Sequence, residues 1–269
     1  MNQPDDQQPD RTVAEPAPTG APAGLDAALW RAGAHDLRSA VGVVLTYCEF
    51  LREESAHPLN PAQRESAGII HTAGEGMLRL INQLSYYAKL AAGELPFDPQ
   101  PVDLPALVRQ AVSLNAAAAG QKKIQLTCAP PPGWPALMLD GERILEAVCQ
   151  LIQNAIHVSP VETCVRITLQ RSPHQVVCSV SDQGPGIALA DQARLFQPFG
   201  RIPAPRAEPP TGSGFGLAIA RLIVERHGGK IWLKSLPEQG ATFHVSLPIP
   251  SPGHPAAPPA QISQPHSPV

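Results

Sequence analysis

The sequence predicts an α+β fold: an N-terminal helical hairpin that forms a dimeric four-helix bundle with a second copy, followed by an α/β sandwich. Two observations indicate this fold. Apolar residues recur at alternating intervals of three and four along residues 25–92, whereas residues 104–249 mix helical periodicity with strand-like alternation. Residues 93–103 contain three prolines and are predicted to be a linker between the two parts.

Both ends of the chain are rich in proline. Of 32 prolines in 269 residues, five fall in residues 1–24 and eight in residues 248–269, and neither segment has a periodic apolar pattern. Such segments bury too little apolar surface to offset the entropy cost of ordering. Residues 1–24 and 250–269 are therefore predicted to be disordered tails.

Charge and composition exclude several classes of protein. The formal net charge is −3 and no long basic run is present, which argues against nucleic-acid binding. No apolar run approaches the ~18 residues of a membrane span, and the N-terminus lacks the form of a signal peptide. Five cysteines without a CxxC pair do not fit a disulfide scaffold or structural zinc site. A cytoplasmic protein is expected. Packing as a small apolar residue on the bundle seam is enough to explain Cys48, and a redox role is the alternative.

The hairpin is predicted from one apolar seam on each helix, a pattern suited to left-handed bundle packing. Two prolines between the seams, Pro58 and Pro61, predict a loop. Because two helices alone bury little surface, pairing of two hairpins completes the bundle. The seams are Trp30, Ala34, Leu37, Val41, Val44, Cys48 and Leu51 on the first helix, and Ile70, Ala73, Met77, Leu80, Leu84, Tyr87 and Ala91 on the second.

Residues 104–249 are predicted to form a sandwich of helices and strands without a repeating βαβ order. The predicted helices are 104–119, 140–157 and 217–227, the last ended by two glycines. The predicted strands are 124–128, 161–169, 175–181, 230–235 and 241–247.

Two glycine clusters in this region could approach phosphate groups. Asp182-Gln-Gly184-Pro-Gly186 follows a predicted strand, and Gly212-Ser-Gly214-Phe-Gly216 opens a predicted helix. Free backbone N–H groups and the helix dipole favour anions at such a position. Taken alone, the second cluster matches neither a Walker loop nor a dinucleotide fingerprint, and ordinary turn glycines are the alternative.

Four motifs follow one another along residues 150–216 in an order that resembles the ATP-binding domain of two-component sensor histidine kinases. That domain has an asparagine box, two glycine boxes and a phenylalanine box. The likeness covers about residues 25–247. The features are Gln150-Leu-Ile-Gln-Asn154-Ala-Ile-His157, the Asp182 cluster, Phe196-Gln-Pro198-Phe199-Gly-Arg201 and the Gly212 cluster, flanked by Asp140-Gly-Glu-Arg143 and Gly240-Ala-Thr242-Phe243.

The hairpin carries a segment, Ala34 to Val41, that resembles the histidine box of the same family. His35 lies at the edge of the seam and is expected to point partly to solvent, with Ser39 one turn away on the same face. The adjacent carboxylate of Asp36 could orient the imidazole for nucleophilic attack. A surface histidine without chemistry is the alternative, but the resemblance implies that His35 is the phosphoacceptor.

The resemblance also implies roles in the nucleotide site. Asp182 would accept a hydrogen bond from the adenine amino group, and Asn154 would hold the Mg²⁺ that bridges the phosphates, with Gln150 as a second metal candidate. His157 and Arg201 would be basic phosphate contacts, and residues 202–211 would form a lid over ATP. The other expected nucleotide contacts are Gly184, Gly186, Gly212, Gly214, Gly216, Leu217 and Thr242.

Three residues depart from the family pattern. Gln150 replaces the first asparagine of its box and is longer by one methylene, so metal positioning is expected to differ. Ala40 replaces a proline that commonly bends the first helix, and a straighter helix is expected. Ser39 replaces the usual threonine or asparagine that positions water for phosphatase chemistry, and its hydroxyl could serve the same purpose.

The resemblance implies a homodimeric histidine kinase that autophosphorylates on His35 with ATP and Mg²⁺ and passes the phosphoryl group to an aspartate of a response regulator receiver domain. Only about 24 residues precede the hairpin, so no sensor domain is expected. A sensory partner in trans, or a ligand of the core itself, would then supply the signal. One alternative is a degenerate kinase that acts as a regulator phosphatase or docking scaffold, which Gln150 and Ala40 slightly favour. A serine kinase of the same superfamily is the other, but it would not need this hairpin.

Overall fold

The computed structural model describes residues 27–53, 59–130, 133–201 and 213–249. The predicted tails, the predicted lid and Gly212 lie outside these residues, and the side chains of residues 27–32, including Trp30, are likewise not described. No helix in the described ranges is long and apolar enough to cross a membrane. A helical hairpin precedes a sandwich of helices and one five-stranded sheet, and the predicted α+β fold is confirmed.

The hairpin consists of α1 (Ala27–Arg52) and α2 (Pro61–Ala91). Asn60 begins α2 with a capping box: its side chain accepts the backbone N–H of Gln63, whose own side chain accepts the N–H of Asn60. Gly74 of α2 faces α1, because an added Cβ there would lie 2.8 Å from Cδ2 of Leu45. A larger residue at this position would force the Leu45 side chain to move.

The structure divides each predicted seam between two faces. On α1, Ala34 and Cys48 are buried against α2, whereas Leu37, Val44 and Leu51 are about half exposed. On α2, the face toward α1 is instead marked by Ala67 and Gly74, and the predicted seam residues Ile70, Ala73 and Met77 are exposed. About half of the apolar pattern is therefore exposed within the part of the chain that the structure describes.

The second part is a five-stranded sheet with α3, α4 and α6 packed on one face. The strand order is β2-β4-β5-β7-β6, and only the β2–β4 pair is parallel. Inward residues such as Val165, Ile167 and Phe243 are buried, whereas Arg166 and Thr168 between them are exposed. The elements are α3 (Leu104–Gln121), β2 (Gln125–Cys128), α4 (Gly141–Val158), β4 (Cys164–Arg171), β5 (Gln175–Ser181), α6 (Gly216–Arg226), β6 (Lys230–Ser235) and β7 (Ala241–Pro248).

Three short elements were not predicted: β1 (Gln100–Val102), β3 (Leu137–Leu139) and α5 (Leu189–Gln192). The strands β1 and β3 form a separate antiparallel pair, so part of the predicted linker is a strand. The predicted strand 161–169 begins too early. Residues 160–163 form a turn in which Glu162 has a φ of 62°, and pairing with β5 starts only at Arg166.

The junction between the linker and α4 is built around His227, the C-cap of α6. Its Nδ1 donates to the carbonyl of Ile223 at 2.7 Å, and its Nε2 accepts the backbone N–H of Asp140 at 3.1 Å. The ring of Phe97 packs edge-on against the imidazole at 4.6 Å. Burial lowers the pKa of His227, consistent with a neutral ring that donates at one nitrogen and accepts at the other.

Candidate functional site

The candidate phosphoacceptor lies on the exposed side of α1. The side chain of His35 is 76% exposed, and its Nδ1 lies 3.4 Å from Oδ1 of Asp36. The hydroxyl of Ser39 donates to the carbonyl of His35 at 3.1 Å and is thus bonded to the backbone one turn back. The helix continues through Ala40 without a break, as expected where proline is absent. His35 is an accessible nucleophile with a carboxylate beside one ring nitrogen.

Asp182 forms the centre of a separate, buried site after β5. Its Oδ1 accepts backbone N–H groups from Gly184 at 2.9 Å and from Ala241 at 3.0 Å. Its Oδ2 is buried and has no hydrogen-bond partner within the described part of the chain. Burial raises the pKa of Asp182, while the two backbone donors lower it. A buried, unpaired carboxylate oxygen is costly and indicates a position for a ligand donor.

Close backbone approaches build the walls around Asp182. An added Cβ would lie 2.2 Å from the carbonyl oxygen of Asp182 at Gly240, and 2.0 Å from the carbonyl oxygen of Leu236 at Gly186. Both glycines have a φ of +70°, which a side chain would strain. The hydroxyl of Thr242 lies 2.9 Å from Oγ of Ser181 on the neighbouring strand, at the edge of the same site.

One face of α4 supplies the side chains proposed for metal and phosphate. Gln150, Asn154 and His157 follow one another at helical spacing, with the first two partly buried and His157 exposed. The end of this helix meets the first glycine cluster, because an added Cβ at Gly184 would lie 2.9 Å from Cγ2 of Val158. The α4 face and the Asp182 cluster thus form one continuous site.

The carboxamide of Gln150 fills the space beside Gly216, where α6 begins. A Cβ at Gly216 would lie 2.4 Å from its Oε1. The amide oxygens of Gln150 and Asn154 suit Mg²⁺, which prefers oxygen ligands and commonly completes its shell with water and substrate phosphates. The described residues contain no group of three or more His, Cys, Asp or Glu side chains that could hold a metal alone.

The second glycine cluster is held by aromatic contacts. An added Cβ at Gly214 would lie 3.0 Å from Cα of Phe199 and 3.3 Å from Cγ of Arg201, so the phenylalanine box and this cluster adjoin. The buried ring of Phe215 contacts Phe199 at 4.6 Å and Tyr87 of α2 at 5.8 Å. Leu217 is buried behind the cluster. The sequence did not indicate the contact between Tyr87 and Phe215, because it joins positions 128 residues apart.

The structure brings most of the predicted nucleotide residues together. The α4 face, the Asp182 cluster and the start of α6 adjoin one another, whereas His35 belongs to the hairpin and no hydrogen bond or ion pair in the described ranges links it to them. Gly212 lies outside the described residues. The arrangement combines a buried acceptor and glycine-lined walls in one part of the chain with an exposed imidazole on a helix of the hairpin.

Residues 29–93 match the family described as His Kinase A (phospho-acceptor) domain, and residues 139–251 match the histidine kinase-, DNA gyrase B-, and HSP90-like ATPase family. The adaptive-response sensory kinase SasA of Synechocystis sp. is 30% identical over 223 residues, covering 80% of this chain and 57% of its own. The sensor-like histidine kinase SenX3 of Mycolicibacterium smegmatis is 32% identical over 214 residues, covering 80% of this chain and 55% of its own. The chain thus spans little more than half the length of either relative.

Two solved structures share the architecture. Full-length ShkA, in complex with AMPPNP, superposes with a TM-score of 0.70 at 27% identity over 86% of this chain and 47% of its own. The histidine kinase ThkA, in complex with the response regulator protein TrrA, superposes with a TM-score of 0.59 at 20% identity over 84% of this chain and 63% of its own, which supports the fold alone. With a phosphoacceptor domain followed by this ATPase domain, the chain belongs to the histidine kinases of two-component systems.

Proposed function

We propose that the protein autophosphorylates on His35 with ATP and passes the phosphoryl group to an aspartate of a response regulator. The observation that carries this proposal is the buried, unpaired Oδ2 of Asp182 within glycine-lined walls, together with an exposed imidazole in the phosphoacceptor domain. Oδ2 is the acceptor that the adenine amino group requires. A buried, unpaired carboxylate oxygen requires a donor from the ligand, and the adenine amino group supplies one.

The imidazole of His35 supplies the nucleophile. With the Nδ1–H directed at Asp36, the lone pair of Nε2 faces solvent. Nε2 forms a bond to the γ-phosphorus as the bond from that phosphorus to the bridging oxygen of ADP breaks, and ADP leaves. The ring becomes cationic in this step, and the Asp36 carboxylate stabilises the proton at Nδ1. Positioning and charge neutralisation carry most of such a transfer.

The nucleotide is held by the residues around the buried site. Asp182 accepts from the adenine, while Asn154, with Gln150, holds the Mg²⁺, which neutralises phosphate charge. His157 and Arg201 contact phosphate oxygens. Gly214, Gly216 and Leu217 open α6, whose first N–H groups have no side-chain cap, as a phosphate-binding helix start requires. The remaining contacts are Gly184, Gly186, Gly212 and Thr242.

Exposed apolar side chains on the hairpin support two partners. Leu37, Val44 and Leu51 form a half-exposed stripe that a second hairpin would bury, which supports a homodimer. A different stripe, Val43, Tyr47 and Phe50, continues the face of His35 and Ser39 along α1 at helical spacing. We assign this second stripe to the receiver domain of the regulator, since a receiver docked there reaches His35.

Incubation with γ-labelled ATP and Mg²⁺ tests the proposal. Wild type should gain label that is acid-labile and alkali-stable, as phosphohistidine is. His35→Gln should gain none while it still binds ATP. His174→Gln, which removes an exposed histidine from the β4–β5 turn, is the matched control and should be labelled like wild type. Asn154→Ala should lose the gain in ATP affinity that Mg²⁺ gives.

Label retained by His35→Gln would exclude this residue as the acceptor. An unlabelled wild type that still binds ATP would leave a regulator phosphatase or docking scaffold as the function. Absence of ATP binding would refute the nucleotide site itself.

A further inference from the structure

The face of the sheet opposite α3, α4 and α6 carries positive charge and no carboxylate. Cross-strand partners share one face of a sheet, so Arg166 of β4 and Lys234 of β6 belong to one outward row. Ser179, His244 and Trp232 belong to the next row. Both cations are exposed and form no ion pair within the described part of the chain, and none of the outward residues of the described strands is Asp or Glu. We call these five residues the basic face.

The centre of the basic face contains a polar atom without a partner. Nδ1 of His244 lies 2.8 Å from Oγ of Ser179, and its ring stacks on Trp232 with the ring centroids 5.0 Å apart. Burial lowers the pKa of His244, and the charge of Lys234 lowers it further, so the ring is neutral. Its Nε2 is buried and has no hydrogen-bond partner among the described residues. Because an unpaired buried nitrogen is costly, it indicates a polar group outside these residues that completes the face.

The N-terminal segment of the chain has the charge that this face lacks. Residues 1–24 have a formal charge of −3, which equals the formal net charge of the whole chain. Residues 250–269 contain neither Asp nor Glu, so the C-terminal segment offers no such complementarity. Charge therefore favours the N-terminal segment as the occupant. Its charged side chains are Asp5, Asp6, Asp10, Arg11 and Glu15.

The composition of the first ten residues also matches the chemistry of the basic face. Every residue from Asn2 to Asp10 is an amide, a carboxylate or a proline. An amide can bond Nε2 of His244, and prolines in an extended segment pack on aromatic rings such as the half-buried Trp232. A segment of this kind buries too little apolar surface to fold alone, but it can become ordered on a partner surface.

The spacing of the carboxylates fits the two cations. Arg166 and Lys234 are separated by three strand-to-strand steps, β4 to β5 to β7 to β6, which is roughly 14 Å. In a polyproline II segment, Asp6 and Asp10 lie about 12 Å apart. One extended segment can therefore place a carboxylate on each cation, where the hydrogen bonds are charge-assisted.

The chain is long enough for this segment to reach the basic face. The contact of Arg38 with Asn82 aligns the antiparallel helices of the hairpin, which places Ala27 level with Gly93, where the chain enters the ATP-binding part. Helix α2 packs on α6, and α6 packs on the sheet, so about 20–24 Å separate the axis of α2 from the sheet. Residues 16–26 span up to about 36–40 Å when extended. This length is enough to pass the edge strand β6.

We propose that residues 1–15 dock on the basic face, with carboxylates on Arg166 and Lys234 and prolines on Trp232. The docked segment covers the side of the ATP-binding part that faces away from the hairpin. The inference does not rest on the proposed function, because docking requires neither ATP nor a reactive His35.

Proteolysis of the full chain after Arg11 tests the docking, because trypsin cuts a docked segment more slowly than an accessible one. At low salt, cleavage should be at least fivefold slower than in the free peptide of residues 1–24, and ~0.5 M NaCl should remove most of this difference. Arg166→Gln and Lys234→Gln should each speed cleavage at least threefold. Arg109→Gln is the matched control: it removes one exposed cation from α3, on the other side of the sheet, and should leave the rate unchanged.

Cross-linking of the full chain identifies the occupant. A water-soluble carbodiimide, which joins carboxylates to amines in direct contact, should link a carboxylate of residues 5–10 to Lys234. Cleavage as fast as in the free peptide would overturn the proposal and leave the face to an acidic partner protein. Protection that survives both Arg166→Gln and Lys234→Gln, or cross-links from Lys234 only to other carboxylates, would overturn it as well, because the segment would then dock elsewhere.

Discussion

Replacing Asp182 with asparagine separates the nucleotide contact from the fold. In Asp182→Asn, the remaining carbonyl oxygen takes the place of Oδ1 and still accepts from Gly184 and Ala241. The amide nitrogen takes the place of Oδ2 and presents a donor to the adenine amino group, which is also a donor. Loss of a hydrogen bond to a charged acceptor costs about 1.5–3 kcal/mol, which is roughly a 10- to 150-fold rise in Kd for ATP.

The stability of this variant is expected to stay within about 1 kcal/mol of wild type, because no backbone donor loses its partner. Asp182→Ala is the contrasting variant. It leaves two buried N–H groups unpaired and should lower the free energy of unfolding by about 1–3 kcal/mol for each. Titration with a fluorescent ATP analogue and urea unfolding measure the two effects. An asparagine variant that is folded and binds ATP like wild type would refute the role of Oδ2.

Three further predictions concern packing and pH. Gly216→Ala should weaken ATP binding in the presence of Mg²⁺, because an added Cβ would lie 2.4 Å from Oε1 of Gln150 and displace that carboxamide. Gln150→Ala should weaken it as well, and the double variant should bind no more weakly than the weaker single variant, which titration of the three variants measures. Gly74→Ala should lower the free energy of unfolding by about 1 kcal/mol, since overpacking against Leu45 outweighs the gain in helix propensity. Gly76→Ala should not, because an added Cβ there would meet only the end of the Arg79 side chain, at an ordinary contact distance of 3.8 Å; a lower thermal midpoint for Gly74→Ala than for Gly76→Ala is the expected result. Because the pKa of His227 is lowered in the fold, the unfolded chain takes up the proton first as the pH falls, so its stabilising effect is complete above about pH 6.5 and declines below it. Urea midpoints of wild type should therefore fall more steeply below pH 6.5 than those of His227→Gln, and parallel slopes would contradict this.

Periodicity was enough to predict the long elements of the fold. The strands 175–181 and 230–235 have the predicted bounds, and α3, α4 and α6 differ from prediction by one or two residues at their ends. The strands β1 and β3 were missed because three residues carry no measurable period and because their pairing joins positions 39 apart at Gln100 and Leu139. Helix α5 was missed because it has only four residues and no side-chain cap, so it carries no helix signal in the sequence.

The candidate site was predicted from the order and spacing of motifs along the sequence. Order and spacing locate each motif but do not show which residues surround it in the folded structure. The buried acceptor at Asp182 follows from a motif, but the second donor to its Oδ1, Ala241, lies 59 residues away. The hydrogen bonds of Tyr86 on α2 to Arg143 and Glu146 on α4 had no sequence signal, since a tyrosine, an arginine and a glutamate at helical positions are ordinary surface residues. Likewise, the heptad pattern does not show which apolar residues of a seam pack inside the hairpin and which stay exposed for a second copy.

The bond from Ala241 to Asp182 makes nucleotide binding a late event in folding. Strand β7 must pair with β5 before the carboxylate is oriented, so a chain that ends before residue 241 has most of the motifs but no site. A ligand that binds only the completed domain stabilises all of it, by about 2.7 kcal/mol at a concentration of 100 times its Kd. Cellular ATP would then act as a folding ligand, favouring chains whose last strand is in place and leaving truncated ones open to proteolysis.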